Sequence, residues 1–205
     1  NMIPHGVDLK RFAGAVPAVS QMSDDSFSRA PVLVYHGPYS YEPNLQAAMA
    51  LGTVIIPALE KHGHHVVCLA LGDSPPAHSP HPSLTFVGPV DDIASHLKRG
   101  DIAVVPLTTG GGTRMKVLDY FAACIPVVAT KKAVEGLPVE GGKHLVIIDE
   151  VEEMVEPIAE LINSPDRRRE LTENAFALVK TMDWSAIGTR YMELYDLPGC
   201  KGNGT

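Results

Sequence analysis

The apolar positions of this chain fall into short unbroken runs separated by longer amphipathic stretches. The runs are VLVYHG at 32–37, HVVCLALG at 65–72, LTFVG at 84–88, IAVVPL at 102–107, PVVAT at 126–130 and HLVIID at 144–149. They are apolar throughout rather than alternating, as strands are when both faces of their sheet are covered. Between and after them, helical periodicity predicts helices over 43–62, 91–99, 113–124, 150–163, 166–181 and 184–195. Pro57 should kink the first of these or end it early, because proline lacks the N–H and crowds a carbonyl of the preceding turn. Strands alternating with helices in this way predict an α/β fold with a doubly wound, mostly parallel sheet.

The two ends read differently. Residues 1–31 hold Gly, Pro and Ser with little periodicity and read as an entry segment or linker. Residues 32–196 form the predicted domain, and residues 197–205 read as a disordered tail. In a doubly wound sheet, ligands bind beyond the carboxyl ends of the strands. The loops that matter are therefore Gly37–Asn44, Gly72–Pro76, Gly88–Asp92, Leu107–Arg114 and Thr130–Gly136. Gly37, Gly72 and Gly88 each close a strand where a backbone could approach a ligand.

Composition narrows the ligand. Apolar residues make up 45% of the 205 and charged ones 20%, the balance of an ordinary globular domain. The net charge of −7 argues against nucleic acid, whose phosphates need a basic surface. A small anion in a locally basic cleft is still allowed. Cys68, Cys124 and Cys200 form no CxxC pair, and so sparse and odd a set suits a reducing, cytoplasmic setting. No apolar run reaches the ~18–20 residues of a membrane span, and the first residues show no signal-peptide pattern.

The chemistry concentrates in GGGTRMKVLDYF at 110–121. A glycine loop here delivers the chain into a helix expected to start near Thr113. The first amides of a helix lack partners and its dipole favours negative charge, so a phosphate or diphosphate suits the position. Arg114 and Lys116 fall in the expected first turn, where the dipole alone would disfavour them. They make sense if a ligand anion shares the site, and they would meet the charge developing on a departing diphosphate. Asp119, further along the helix, could accept hydrogen bonds from ribose hydroxyls. The plainer reading is a flexible loop with solvated cations and a Lys–Asp pair at helical spacing. A P-loop is excluded because GGGTRMK lacks the Gly-Lys-Ser/Thr ending, and a dinucleotide fingerprint because Met115 stands where a small residue is needed.

Other candidates weigh less. His62, His64, His65, His78 and His81 invite a metal reading, but their spacing supplies no second ligand pair, so they read as surface loops and no metal is expected. DRRRE at 166–170 reads as the solvated first turn of a helix. Lys131 and Lys132 lie on the ligand side, as either a phosphate-field contribution or a solvated loop. No nucleophile elbow supports a hydrolase.

The segment VVPLTTGGGTRMKVLDYFAACIPVVATKKAVEGL at 104–137 resembles the donor-binding segment of retaining glycosyltransferases of family 4, which have the GT-B fold. HGPYSYEPN at 36–44 is similar to that family's first glycine loop, and IPHGVDLKRF at 3–12 to the segment opening its second domain. The resemblance implies a Rossmann-like domain that binds a nucleotide-sugar donor as substrate, UDP- or GDP-linked, with no separate cofactor. It places Arg114 and Lys116 at the donor diphosphate, and Asp119 at a family Glu that holds the ribose. It sets the backbone of Phe86, Val87 and Gly88 toward the base, and Gly110, Gly111, Gly112 and Thr113 toward sugar and phosphates. Glu135 follows the family's Glu-Gly pair near the donor sugar. Gly111 replaces a family Glu that touches sugar hydroxyls, so the sugar is not readable. Cys124 replaces a common Gly. The acceptor-binding domain, with the family's catalytic His, is absent, so the chain alone is expected to bind donor without transferring it. Peripheral membrane contact through missing neighbours stays open. A nucleotide-sugar epimerase and a non-catalytic nucleotide-binding module are the rival readings.

Overall fold

The computed structural model describes residues 6–13 and 29–195. The expected linker falls mostly outside the described residues, and the expected tail wholly so. Six strands form one parallel sheet: β1 Val32–His36, β2 Val67–Leu71, β3 Leu84–Gly88, β4 Ile102–Val105, β5 Val127–Thr130 and β6 Val146–Ile148. Their spatial order is β3-β2-β1-β4-β5-β6. Val34 is in register with Leu69 on one side and Ala103 on the other, and Val104 continues to Val128. Every residue of β4 and β5 is buried, which is why these strands show no polar alternation. The chain order reverses between β1 and β4, and the switch opens a crevice at their carboxyl ends.

The helices are α1 Glu42–Ala50, α2 Ile56–Lys61, α3 Ile93–Leu97, α4 Met115–Ala122, α5 Lys131–Val134, α6 Val155–Asn163, α7 Pro165–Lys180 and α8 Trp184–Tyr195. Helix α4 packs on α7, and α6 packs on both α7 and α2. No helix among the described residues is long and apolar enough to cross a membrane.

Pro57 neither ends nor simply kinks the first helix. A π-helical turn at Leu51–Ile55 joins α1 to α2, and the Ile56 amide reaches back to Leu51 O. The wider turn removes the clash that a proline ring makes with the preceding turn, so helical direction survives a residue that should stop it.

The end of α4 meets a second local demand. Ile125 N–H donates to Tyr120 O and Cys124 N–H to Phe121 O, the paired bonds of a Schellman cap. Cys124 takes the left-handed conformation (φ 57) that this cap asks of glycine. Both Cys68 and Cys124 are buried, as their apolar surroundings predict.

Two basic stretches depart from expectation. In the 166–170 run, Arg168 is buried at 3% exposure and donates to the carbonyls of Leu161 and Ile162, and Arg167 donates to Gly142 O at 2.7 Å. Only Arg169, paired with Asp166 at 2.9 Å, is the surface residue expected. The unsatisfied carbonyls at the end of α6 explain the difference, since a buried guanidinium meets them. Lys131 and Lys132 open α5 instead of a loop and pair with Asp149 and Glu135 at 2.6 Å each.

Gly72 holds the carboxyl ends of β1 and β2 together, because a Cβ there would lie 2.0 Å from Gly37 O. Gly72→Ala should therefore destabilise the domain by about 2–3 kcal/mol, a drop of roughly 5–10 °C in Tm. Gly63→Ala, at φ +84 with open space around it, should cost only about 1 kcal/mol of backbone strain. Equal losses in thermal melts would show that the β1–β2 contact is not the constraint.

Candidate functional site

One face of α4 closes the crevice. Lys116, Asp119 and Tyr120 lie three and four residues apart, so all three point the same way. That face meets the end of β1. Lys116 Nζ donates to the Tyr35 hydroxyl at 2.8 Å, Asp119 Oδ2 lies 3.6 Å from His36 Nε2, and Tyr120 Oη accepts the His36 amide at 2.9 Å. The resulting cavity measures about 260 Å³ and is lined by Gly37 and Tyr41 from the first loop, Asn44 from α1, Gly111 and Arg114 from the second loop, and Lys116 and Asp119 from α4.

Arg114 stands differently from expectation. Helix α4 begins at Met115, and Arg114 is its N-cap in the left-handed conformation, φ 55 and ψ 30. A non-glycine residue held there signals a constrained loop. Its side chain, 6% exposed, donates through Nη2 to Gly110 O at 3.1 Å and to Glu135 Oε2 at 3.3 Å. Its Nε is buried with no partner. The guanidinium is thus fixed in place with its buried Nε–H unpartnered. Thr130 supports the loop from β5, donating to Leu107 O.

The three glycines serve different ends. At Gly110, φ 92, a Cβ would sit 2.6 Å from Tyr41 Oη, so this glycine lets the two loops touch. Gly111 donates its amide to the same Tyr41 hydroxyl at 3.1 Å. The first loop thus takes the Gly111 amide. Gly111 and Gly112 have open space where a Cβ would point. Among the described residues, the amides of Gly112, Thr113, Arg114, Met115 and Lys116 have no protein acceptor.

Burial sets the charge states. Lys116 is lowered to about 7, first by desolvation and then by the Arg114 guanidinium. His36 is pushed down to about 3 by burial and by Lys116, partly offset by a hydrogen bond with the Lys116 backbone. The His36–Asp119 approach is consequently no ion pair at neutral pH, since the imidazole is uncharged and its Nε2 lacks a hydrogen bond. Burial raises Asp119 to about 6, with Arg11 acting in the opposite sense. The pocket thus holds a pinned guanidinium, an ammonium poised between charge states, unpaired amides and one carboxyl. It can receive a dianion against the helix start and hydroxyl donors at Asp119.

The structure brings Gly37, Gly111, Arg114, Lys116 and Asp119 together in one cavity. Gly110, Gly112 and Thr113 belong to the same loop, and Glu135 joins through Arg114. Phe86, Val87 and Gly88 do not line the cavity, because β3 is the far edge strand with β2 between it and β1. They reach the first loop through the Phe86 ring, which meets Tyr39 edge-on at 5.2 Å, and the end of β2 through Gly88 O, which accepts the Gly72 amide at 3.0 Å. Sequence reasoning missed Tyr35, His36 and Asn44. A histidine and a tyrosine ending a strand just before a loop glycine were the available signal. Of the expected histidine candidates, His81 lies 3.5 Å from Glu60, and among the described residues no group of three metal-ligating side chains forms.

Comparison with known proteins agrees with this geometry. A family model described as glycosyl transferases group 1 matches residues 30–164. No curated protein matches. Among solved structures, Anabaena Alr3699/HepE in complex with UDP and glucose is 17% identical, TM-score 0.75, over 96% of this chain and 56% of that one. Sucrose-phosphate synthase from Thermosynechococcus elongatus is 20% identical, TM-score 0.71, over 95% of this chain and 51% of that one. The C-terminal domain of the group 1 family protein LpcC from Francisella tularensis is 18% identical, TM-score 0.65, over 86% of this chain and 97% of that domain. The chain thus spans about half the length of the first two structures. The fold is that of a GT-B glycosyltransferase domain, and by the match over residues 30–164 the chain belongs to the group 1 glycosyl transferases.

Proposed function

We propose that this chain binds the nucleotide-sugar donor of a retaining glycosyltransferase. In this reading the diphosphate rests on the amides that open α4, with Arg114 and Lys116 beside it. The observation carrying it is the convergence of two buried cations, Arg114 with an unpartnered Nε and Lys116 with only neutral partners, on unpaired amides at the β1–β4 switch point. Apart from Glu135 beside Arg114, the neighbours of these cations are neutral, whereas a dianion would supply charge to both and acceptors to the amides. HepE, similar in fold, was solved with UDP and glucose, and a UDP- or GDP-linked sugar is the donor class we assign here. Asp119 accepts ribose hydroxyls. As the glycosidic bond to the diphosphate breaks, Arg114, Lys116 and the helix start meet the charge gathering on the leaving oxygen. The acceptor hydroxyl, held by a partner half outside this sequence, attacks on the same face. Without that half we expect binding and no transfer, and we place the assembled enzyme at the cytoplasmic side of glycan synthesis.

Titration calorimetry with UDP, GDP and ADP tests the reading, and binding of one of them in preference to the others is expected. Arg114→Ala removes charge-assisted hydrogen bonds worth about 1.5–3 kcal/mol, so affinity should fall roughly 10- to 100-fold. Unchanged affinity in that variant would place the anion elsewhere.

Stability offers a second check. The folded-state pKa of Lys116 lies below its ordinary value, so the penalty is fully present below about pH 7 and fades as pH rises toward 10. Lys116→Met removes that penalty, and Tyr35 Oη can still donate to Asn44 Oδ1. The variant should melt several degrees higher at pH 6–7, with the advantage shrinking at pH 9–10, while donor binding is lost. A variant that melts lower than the parent at pH 6 would contradict the uncompensated charge.

A further inference from the structure

Asn44, at the start of α1, is 5% exposed and uses both polar atoms of its side chain. Its Nδ2 donates to Pro38 O at 2.9 Å, which fixes the loop after β1. Its Oδ1 accepts from Lys116 Nζ at 2.6 Å and from Tyr35 Oη at 3.0 Å. Gly37 completes the enclosure, since a Cβ there would lie 2.7 Å from Asn44 Nδ2 and 3.1 Å from Lys116 Nζ. Strand β1, the first loop, α1 and α4 all close on one ammonium.

Every partner of that ammonium is neutral: an amide oxygen, a phenol hydroxyl and the Tyr35 ring face, 4.3 Å from Nζ. Among the described residues no carboxylate lies within ion-pair distance of it, and the charge that acts on it, Arg114, has the same sign. A buried ammonium held in this way lacks its counterion.

We propose that Asn44 is a positioning residue that holds Lys116 as a counterion-free cation at the pocket wall, so that the bound diphosphate supplies the missing negative charge. The inference rests on the donor-site reading above. An amide suits the task because it accepts from Lys116 and donates to Pro38 O at once without neutralising the ammonium. Aspartate has nearly the same shape but would supply the countercharge itself and turn an acceptor toward Pro38 O.

Proton uptake follows. The titratable and charged groups around Lys116 are Tyr35 and His36 from β1, Tyr39 from the first loop, and Arg114, Asp119 and Tyr120 from α4 and its cap. Burial holds the three phenols above their ordinary range, His36 is down at about 3, and Asp119 is up at about 6. Between pH 7 and 8 the group that changes most is Lys116, at about 7. An arriving diphosphate restores its proton, so affinity declines by up to tenfold per pH unit above 7.

The test is calorimetric titration of the full chain with UDP-glucose and GDP-mannose at pH 7 and 8, in buffers of different ionisation enthalpy. Their diphosphate is esterified at both ends and exchanges no proton in this range. The parent protein should take up close to one proton at pH 8, and Lys116→Gln none. Asn44→Asp should bind at least tenfold more weakly and take up none, without melting below the parent. Asn44→Ser, which keeps a neutral acceptor, should retain the uptake. Proton uptake surviving in Lys116→Gln or Asn44→Asp, or parental affinity in Asn44→Asp, overturns the proposal while leaving the donor site standing. Failure of both nucleotide sugars to bind overturns the donor-site reading and this inference together.

Discussion

The site depends on one constraint: α4 must lie across the end of β1 closely enough for Lys116, Asp119 and Tyr120 to meet Tyr35 and His36. Sequence separation of more than eighty residues makes this contact expensive to form, and the central β1–β4 pairing is what brings its two sides together. Tyr120 anchors the arrangement by taking the His36 amide, a donor that the end of a parallel strand would otherwise leave to solvent or bury unpaired. With that bond made, Asp119 beside it and Lys116 one turn earlier on the same face are held at the crevice. The charge states then follow from burial and need no further device.

A protein optimised for stability alone would not arrange its charges this way. A paired lysine or a methionine would suit the wall better, and a guanidinium would not be buried with an idle Nε. The core carries this cost because its centre is apolar and continuous: β4 and β5 are fully buried, and α4 sets Val117, Leu118 and Phe121 against the interior. The polar cluster is confined to the carboxyl edge of the sheet, where backbone amides and loops already interrupt the packing. Strain is concentrated there as well, at left-handed Arg114, and is held by the Gly110 carbonyl and Glu135.

Much of this was legible in the chain itself. All six strands fall within a residue or three of the apolar runs, because strands covered on both faces leave a continuous apolar signature. Arg114, Lys116 and Asp119 were legible because they share a helix start with a glycine loop, a local pattern. Asn44, Tyr35 and His36 were not. Each gains its role from a neighbour on another element, and no local pattern distinguishes an asparagine that begins a helix from one that holds a distant lysine. The same limit applies to the bond between the Gly111 amide and the Tyr41 hydroxyl, which joins two loops seventy residues apart. Pro57 failed as a stop signal because a π turn is an alternative that a proline rule does not weigh.

The position of Phe86 to Gly88 follows from topology rather than from side-chain chemistry. With β2 between β3 and β1, those residues lie on the far side of the first loop from Arg114, and the Tyr39–Phe86 edge contact is the bridge. Tyr39 is fixed by its amide to Asp73 O, and its hydroxyl is buried without a partner. The Tyr39 ring thus stands between the first loop and β3. The cavity at the switch point presents the charged side chains Arg114, Lys116 and Asp119, while the sheet edge toward β3 presents an aromatic ring and strand backbone. This division of charged and aromatic surface along the sheet edge is thus set by strand order rather than by any one side chain.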